Sequence, residues 1–122
     1  MIREMKMKTI KFRSYIKDKK LEPIMVYFDL TTDNRWIIEK KSPIMMFTGL
    51  SDKHGKEVYE GDIVETDEGR YEILWDIERA KFTLGDDSMV LAFGTVWQPK
   101  HFEIVGNIYE SPNPPHMGER RV

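Results

Sequence analysis

From Lys8 to Ile16 the chain alternates, with Ile10, Phe12 and Ile16 on one side of an extended backbone and Thr9, Lys11, Arg13 and Tyr15 on the other. This pattern predicts a half-buried strand with its charged side outward. Lys17-Asp18-Lys19-Lys20 is a polar reversal, and a second strand is predicted from Ile24 to Leu30, delayed by Pro23, which has no N–H to offer a ladder. Thr31 to Asn34 is a turn cluster. Asp33 or Asn34 is placed to cap a short helix through Arg35 to Lys41, with strand as the alternative, and Pro43 then pushes Ser42 out of the helical region.

Ile44 to Thr48 predicts a buried strand that ends at Gly49. The loop Ser51 to Lys56 has hairpin chemistry, because the Asp52 carboxylate can bond amides further along the loop and Gly55 can take positive φ. Glu57-Val58-Tyr59 leads to a second reversal at Glu60-Gly61-Asp62, where Asp62 is expected to bond the turn backbone. Ile63 to Thr66 is then predicted to pair across Asp67-Glu68-Gly69 with Arg70 to Trp75, placing Tyr71, Ile73 and Trp75 on one face. Ala80 to Leu84 adds a strand with Phe82 and Leu84 inward and Lys81 and Thr83 outward. Met89 to Trp97 fits neither period. Lys100 to Glu110 is the closing strand, with Gly106 as a bulge or close backbone approach. The expected core is Ile10, Phe12, Phe47, Leu50, Val58, Ile63, Tyr71, Ile73, Trp75, Phe82, Ile104 and Ile108, with Trp36 and Trp97 also candidates for a core or a self-association face.

Short strands about ten residues apart, divided by Gly and Asp turns, predict a mainly β fold with little helix. The second half, about 58–109, opens with Gly61-Asp62-Ile63-Val64, a charged turn and a Tyr-x-Ile-x-Trp strand, and so is similar to a small SH3-like β-barrel. N-terminal strands within residues 6–48 are expected to pack against it, making residues 1–110 one domain. Residues 111–122, with three prolines, are expected to form a flexible tail.

Length is consistent with one domain: 122 residues suffice to bury a core without staples. The absence of cysteine removes disulfides, thiolate metal sites and thiol nucleophiles, and fits a cytoplasmic location. No apolar run approaches a membrane span, so no membrane role is expected. The formal net charge of -2 hides a segregation. Residues 1–20 carry eight lysines and arginines against Glu4 and Asp18, whereas residues 57–87 are dominated by Asp and Glu. Either the basic segment forms a face for phosphates, or the two segments are neighbours that complement each other.

Candidate chemistry is sparse. His54, His101 and His116 lack metal-ligand spacing, and the acids from Glu60 to Glu68 lack the loop of an EF-hand. Gly49, Gly55 and Gly61 are spaced by six, without a phosphate-cradling pattern, and read as turn glycines. No catalytic residue, metal or cofactor is expected. Nucleic acid is the one ligand with named candidates: Lys11, Arg13 and Tyr15, outward on the first strand, combine charge with a stacking ring. A pI of about 5.9 argues against that reading.

Three blocks in order carry a resemblance: Ile10-Lys11-Phe12-Arg13; Met46-Phe47-Thr48-Gly49-Leu50-x-Asp52-Lys53-x-Gly55-Lys56-Glu57-x-Tyr59-Glu60-Gly61-Asp62-Ile63-Val64; and Ile104-Val105-Gly106-Asn107-Ile108-Tyr109-Glu110. With these the chain resembles the YopX family of small phage and prophage proteins over nearly its whole length. His54 and the pair Ser14-Tyr15 depart from the usual residues. The resemblance implies a largely β fold, a phage context in the bacterial host cytoplasm, and no reaction. The signature residues Gly49, Asp52, Gly55, Gly61, Asp62 and Gly106 are expected to be structural. The expected function is a non-enzymatic accessory protein that binds a protein partner or itself, with single-stranded DNA as the alternative partner.

Overall fold

The computed structural model describes residues 10–67, 69–78, 80–85 and 101–110. The undecided stretch Met89 to Trp97, the start of the first predicted strand, His116 and the tail 111–122 lie outside the described residues. Regular structure within them comprises β1 (Lys11–Asp18), β2 (Leu21–Asp29), α1 (Arg35–Glu39), β3 (Ile44–Ser51), β4 (Glu57–Tyr59), β5 (Asp62–Thr66), β6 (Gly69–Asp76), β7 (Lys81–Leu84) and β8 (Glu103–Asn107). The chain is mainly β with little helix, as expected. Its strands form two four-stranded sheets, ordered β2-β1-β3-β4 and β7-β6-β5-β8, with antiparallel pairing throughout.

In the first sheet Phe12 lies opposite both Phe28 and Met46, Ser14 opposite Val26 and Ile44, and Ile16 opposite Ile24. Directly opposed residues share a face, so these side chains form one surface. Helix α1 lies on it through Ile37, which is buried with Ile16 and Phe28 against half-buried Phe12 and Val26. Asn34 precedes α1 without a side-chain cap, while Asp33 accepts the Arg35 N–H at 3.4 Å and pairs with its guanidinium. The helix ends at Glu39 with Lys40 as its C-cap, short of the expected Lys41, which takes φ +58°.

The second core gathers Val58, Val64, Ile73, Leu84 and Phe102, with Tyr71, Phe82 and Ile104 partly buried against it. Strand β4 hydrogen-bonds to β3 in the first sheet while Val58 enters this second core, so β4 belongs to both halves. The expected β5–β6 hairpin forms with a tighter turn: β6 begins at Gly69, opposite Thr66, rather than at Arg70, and the ladder runs to Ile63 opposite Glu72. The β5–β8 ladder slips between Ile63 opposite Gly106 and Val64 opposite Ile104, which makes Gly106 part of a bulge.

Several expectations are corrected. Gly49 does not end the third strand: β3 runs on to Ser51, and Gly49, at φ +91°, lies where its pairing with β4 shifts register. Ile10 is exposed, and Arg13, expected outward, is only 3% exposed. The alternation on β1 assumes one covered face, but α1 covers one side and residues of β4 and β5 meet the other. Trp75, expected in the core, is 41% exposed. β5 pairs with β6 only as far as Glu72, so among the described residues Trp75 has a neighbour strand on one side alone, where it meets Phe82 edge-on at 4.9 Å. Thr83, expected outward, is buried, and its hydroxyl donates to the Gly85 carbonyl at 3.3 Å. Val58, Ile63 and Ile73 are buried as expected, while Phe12, Phe47, Leu50, Tyr71, Phe82, Ile104 and Ile108 are half-buried.

Candidate functional site

Among the signature residues, Asp52, Gly61 and Asp62 lie where the two sheets meet, while Gly49 and Gly55 are exposed. In the β3–β4 loop the Asp52 carboxylate accepts three backbone N–H bonds: from His54 and Lys56 through Oδ1, each at 2.9 Å, and from Ile104 through Oδ2 at 2.9 Å. The first two close the turn, which Gly55 completes at φ +84°. The third reaches β8, and Lys53 N–H donates back to the Phe102 carbonyl at 3.1 Å. Burial pushes the Asp52 carboxyl up, but the three amide bonds and the neighbouring His54 outweigh it and hold its pKa below the usual value.

The second reversal places Asp62 below the first sheet. Tyr59 N–H donates to Asp62 Oδ2 at 2.7 Å, and Arg13 Nη2 donates to Asp62 Oδ1 at 2.9 Å and to the Glu60 carbonyl at 3.3 Å. The Arg13 guanidinium also lies over the Tyr59 ring, 4.8 Å from its centroid, a cation–π contact in a dry setting. Both charged side chains are almost wholly buried. Burial pushes the Asp62 carboxyl up, opposed by the Arg13 charge and the Tyr59 amide. It also raises the Tyr59 hydroxyl to about 12, with Glu57 adding to the shift. Among the described residues Arg13 Nε has no hydrogen-bond partner.

Gly61 sits between these groups with φ +89°, its N–H donating to the Ile73 carbonyl at 2.9 Å and its carbonyl accepting from Ile108 N–H at 3.0 Å. A Cβ there would lie 2.9 Å from Met45 Sδ. Beyond Gly106, the Asn107 side chain closes the turn after β8 by accepting from Tyr109 and Glu110 N–H, at 2.9 and 2.8 Å.

Lys11, Arg13 and Tyr15, the nucleic-acid candidates, are all engaged within the chain. Lys11 pairs with Glu57 and lies over the Phe47 ring, Arg13 is enclosed as described, and Tyr15 stacks on Tyr109 with centroids 5.8 Å apart. The basic first strand therefore faces acids of the same chain, the complementary arrangement considered from the charge distribution. Sequence reasoning missed Tyr59 as the cation–π partner and the amide of Ile104 as an Asp52 ligand. Neither has a local signal, because both contacts join distant segments.

An open cleft of about 180 Å³ lies near the loop, lined by Lys53, Glu65, Thr66, Asp67, His101 and Glu103. At its rim Glu103 forms an ion pair with Lys53 at 3.4 Å and lies 3.5 Å from His54 Nε2. Among the described residues no group of three or more His, Asp or Glu converges on a metal position, and no helix is long and apolar enough to cross a membrane.

Fold and site together define a small, mainly β protein whose signature residues lock two sheets through backbone bonds and a buried ion pair. The chain belongs to the YopX family: the family model, described as YopX protein, matches residues 2–114. No curated protein matches the sequence.

Proposed function

We propose that this chain is a non-enzymatic binding protein that acts on a protein partner as an accessory factor of a phage or prophage in the bacterial cytoplasm, its second half being a small barrel of the SH3-like kind. The observation that carries the reading is the internal use of the basic first strand. A guanidinium that is 3% exposed and bonded to Asp62 has no face left for a phosphate, and the Lys11 charge is shared with Glu57. The signature side chains likewise spend their bonding on the backbone of their own fold, leaving recognition to the outer surface.

Labelled single-stranded DNA titrated at low and physiological salt tests the alternative. Phosphate contacts give an affinity that falls steeply with salt, so the protein-partner reading expects negligible binding at physiological salt and a defined protein recovered by pull-down from infected cells. Tight, salt-sensitive DNA binding would reverse it.

A further inference from the structure

Among the described residues, the first sheet carries a layer on one face that is only partly built. Helix α1 packs on β1 and β2 through Ile37, with Ile16, Phe28, Phe12 and Val26 beneath it. Two strands are about 10 Å across, one helix diameter, so a single helix covers them and no more. β3 continues the same face. Its Ile44 and Met46, opposite Ser14 and Phe12, are 43% and 39% exposed; β1 flanks them on one side, and β4 pairs with β3 only from Phe47 onward. Alongside, α1 exposes Trp36 and Ile38 on either side of the buried Ile37. Among the described residues, exposed apolar side chains thus occur both on the helix and on the neighbouring end of β3, and such groupings mark interaction sites.

The end of this shelf is basic. Lys40 and Lys41 link α1 to β3 and are exposed, and the Lys40–Asp18 ion pair, at 2.6 Å, draws in the β1–β2 turn with exposed Lys19 and Lys20. The Asp18 carboxylate is already occupied by Lys40 and by the Lys20 N–H. Apolar floor and lysine rim together select a partner that is apolar on one side and acidic on its flank.

We propose that Ile44 and Met46, beside α1 and bounded by Lys40 and Lys41, form a docking shelf for an acidic amphipathic helix of a partner protein, which completes the layer that α1 begins. The proposal rests on the protein-partner reading above and gives that partner its chemistry. β3 spans roughly 26 Å, which a helix of about 18 residues matches.

The test uses a fluorescent synthetic peptide of about 18 residues with a leucine stripe at helical spacing and glutamates elsewhere, and a second peptide with lysine in place of each glutamate. Anisotropy should show the acidic peptide binding and the basic one not. Ile44→Gln with Met46→Gln, and separately Lys40→Glu with Lys41→Glu, should each weaken binding by about tenfold or more. Circular dichroism would show both variants folded; the urea midpoint should be unchanged for Ile44→Gln with Met46→Gln and slightly lower for Lys40→Glu with Lys41→Glu, which breaks the Lys40–Asp18 pair. Equal binding of the two peptides, or acidic-peptide binding unmoved by either double variant, overturns the proposal. So does failure of that peptide to bind while anionic vesicles, oligothymidine or a second copy of the chain engage the same residues. Pull-down separates this inference from its premise: if wild type and the Ile44→Gln, Met46→Gln variant recover the same protein equally, the partner reading stands and the shelf falls.

Discussion

The Arg13–Asp62 pair is the contact most exposed to quantitative test. Its side chains are 4% and 3% exposed, so removing either partner strands a buried charge, which costs about 3–5 kcal/mol. The two single variants should nevertheless differ. Arg13→Met leaves Asp62 with the Tyr59 N–H and no cation, and the carboxyl, already pushed up by burial, can take a proton. A folded-state pKa raised above the unfolded value makes the folded form hold the extra proton. The stability of Arg13→Met therefore falls as pH rises from the unfolded carboxyl range through the raised value, and its deficit against wild type shrinks as pH is lowered. Asp62→Asn leaves a guanidinium that cannot deprotonate, so its cost has no such relief. In Arg13→Met with Asp62→Asn neither charge remains and the amide oxygen can still accept from Tyr59. The double variant should lose only about 1–2 kcal/mol, several below the sum of the singles. Urea unfolding followed by tryptophan fluorescence measures all three. A loss of 5 kcal/mol takes much of the roughly 5–15 kcal/mol that holds a domain together. Arg13→Lys, which keeps the charge but not the planar fork, supplies an intermediate variant if a single does not fold. Additivity within about 0.5 kcal/mol, or either single costing under about 1 kcal/mol, would refute the buried-pair account.

Three further outcomes follow from the same geometry. Gly55→Ala should cost about 1–2 kcal/mol through its positive φ alone, since a Cβ there meets nothing within 4 Å, whereas Gly61→Ala adds a clash with Met45 and should cost more in the same denaturation curves; equal losses would mean that Met45 yields freely. Phe102→Ala, at a fully buried ring, should lose about 3–5 kcal/mol, and half-exposed Trp75→Ala clearly less; the reverse order would place Trp75 in the core after all. Asp52→Asn should lose about 1–3 kcal/mol at neutral pH because an amide nitrogen cannot accept the N–H bonds that one carboxylate oxygen receives. Its folded-state pKa is depressed, so the wild-type advantage is complete above the ordinary carboxyl range and is lost as pH falls through the depressed value; a gap constant down to acid would show that Asp52 bonding contributes nothing through its charge.

What could be read from the chain alone follows the range of each interaction. Asp52, Gly55 and Gly61 act within a few residues, through turn closure and positive φ, and the expected backbone bond of Asp62 is made to Tyr59 only three residues away. Such chemistry is written locally. The Arg13–Asp62 bond spans 49 positions, and no local pattern marks it. Alternation also misled where it was silent about neighbours. It cannot tell that β5 stops short of Trp75, nor that a five-residue helix and the turn before β5 would enclose β1 from both sides.

The segregated charge is the instructive case, because composition gives its sign without showing where it is used. Two basic residues of β1 are matched within the chain, Lys11 by Glu57 in a partly exposed pair and Arg13 by Asp62 in a buried one. The lysines of the β1–β2 turn come from the same basic segment, but they meet different surroundings. The Asp18–Lys40 contact gathers Lys19 and Lys20 with Lys40 and Lys41, residues about twenty positions away, onto one exposed corner. One continuous basic segment is thereby divided between holding the two sheets together and facing outward beside exposed Ile44. A charge reversal at Arg13 would therefore read out stability, whatever the partner. A reversal at Lys41 leaves the Arg13–Asp62, Lys11–Glu57 and Lys40–Asp18 pairs untouched, so it is there that recognition can be measured apart from folding.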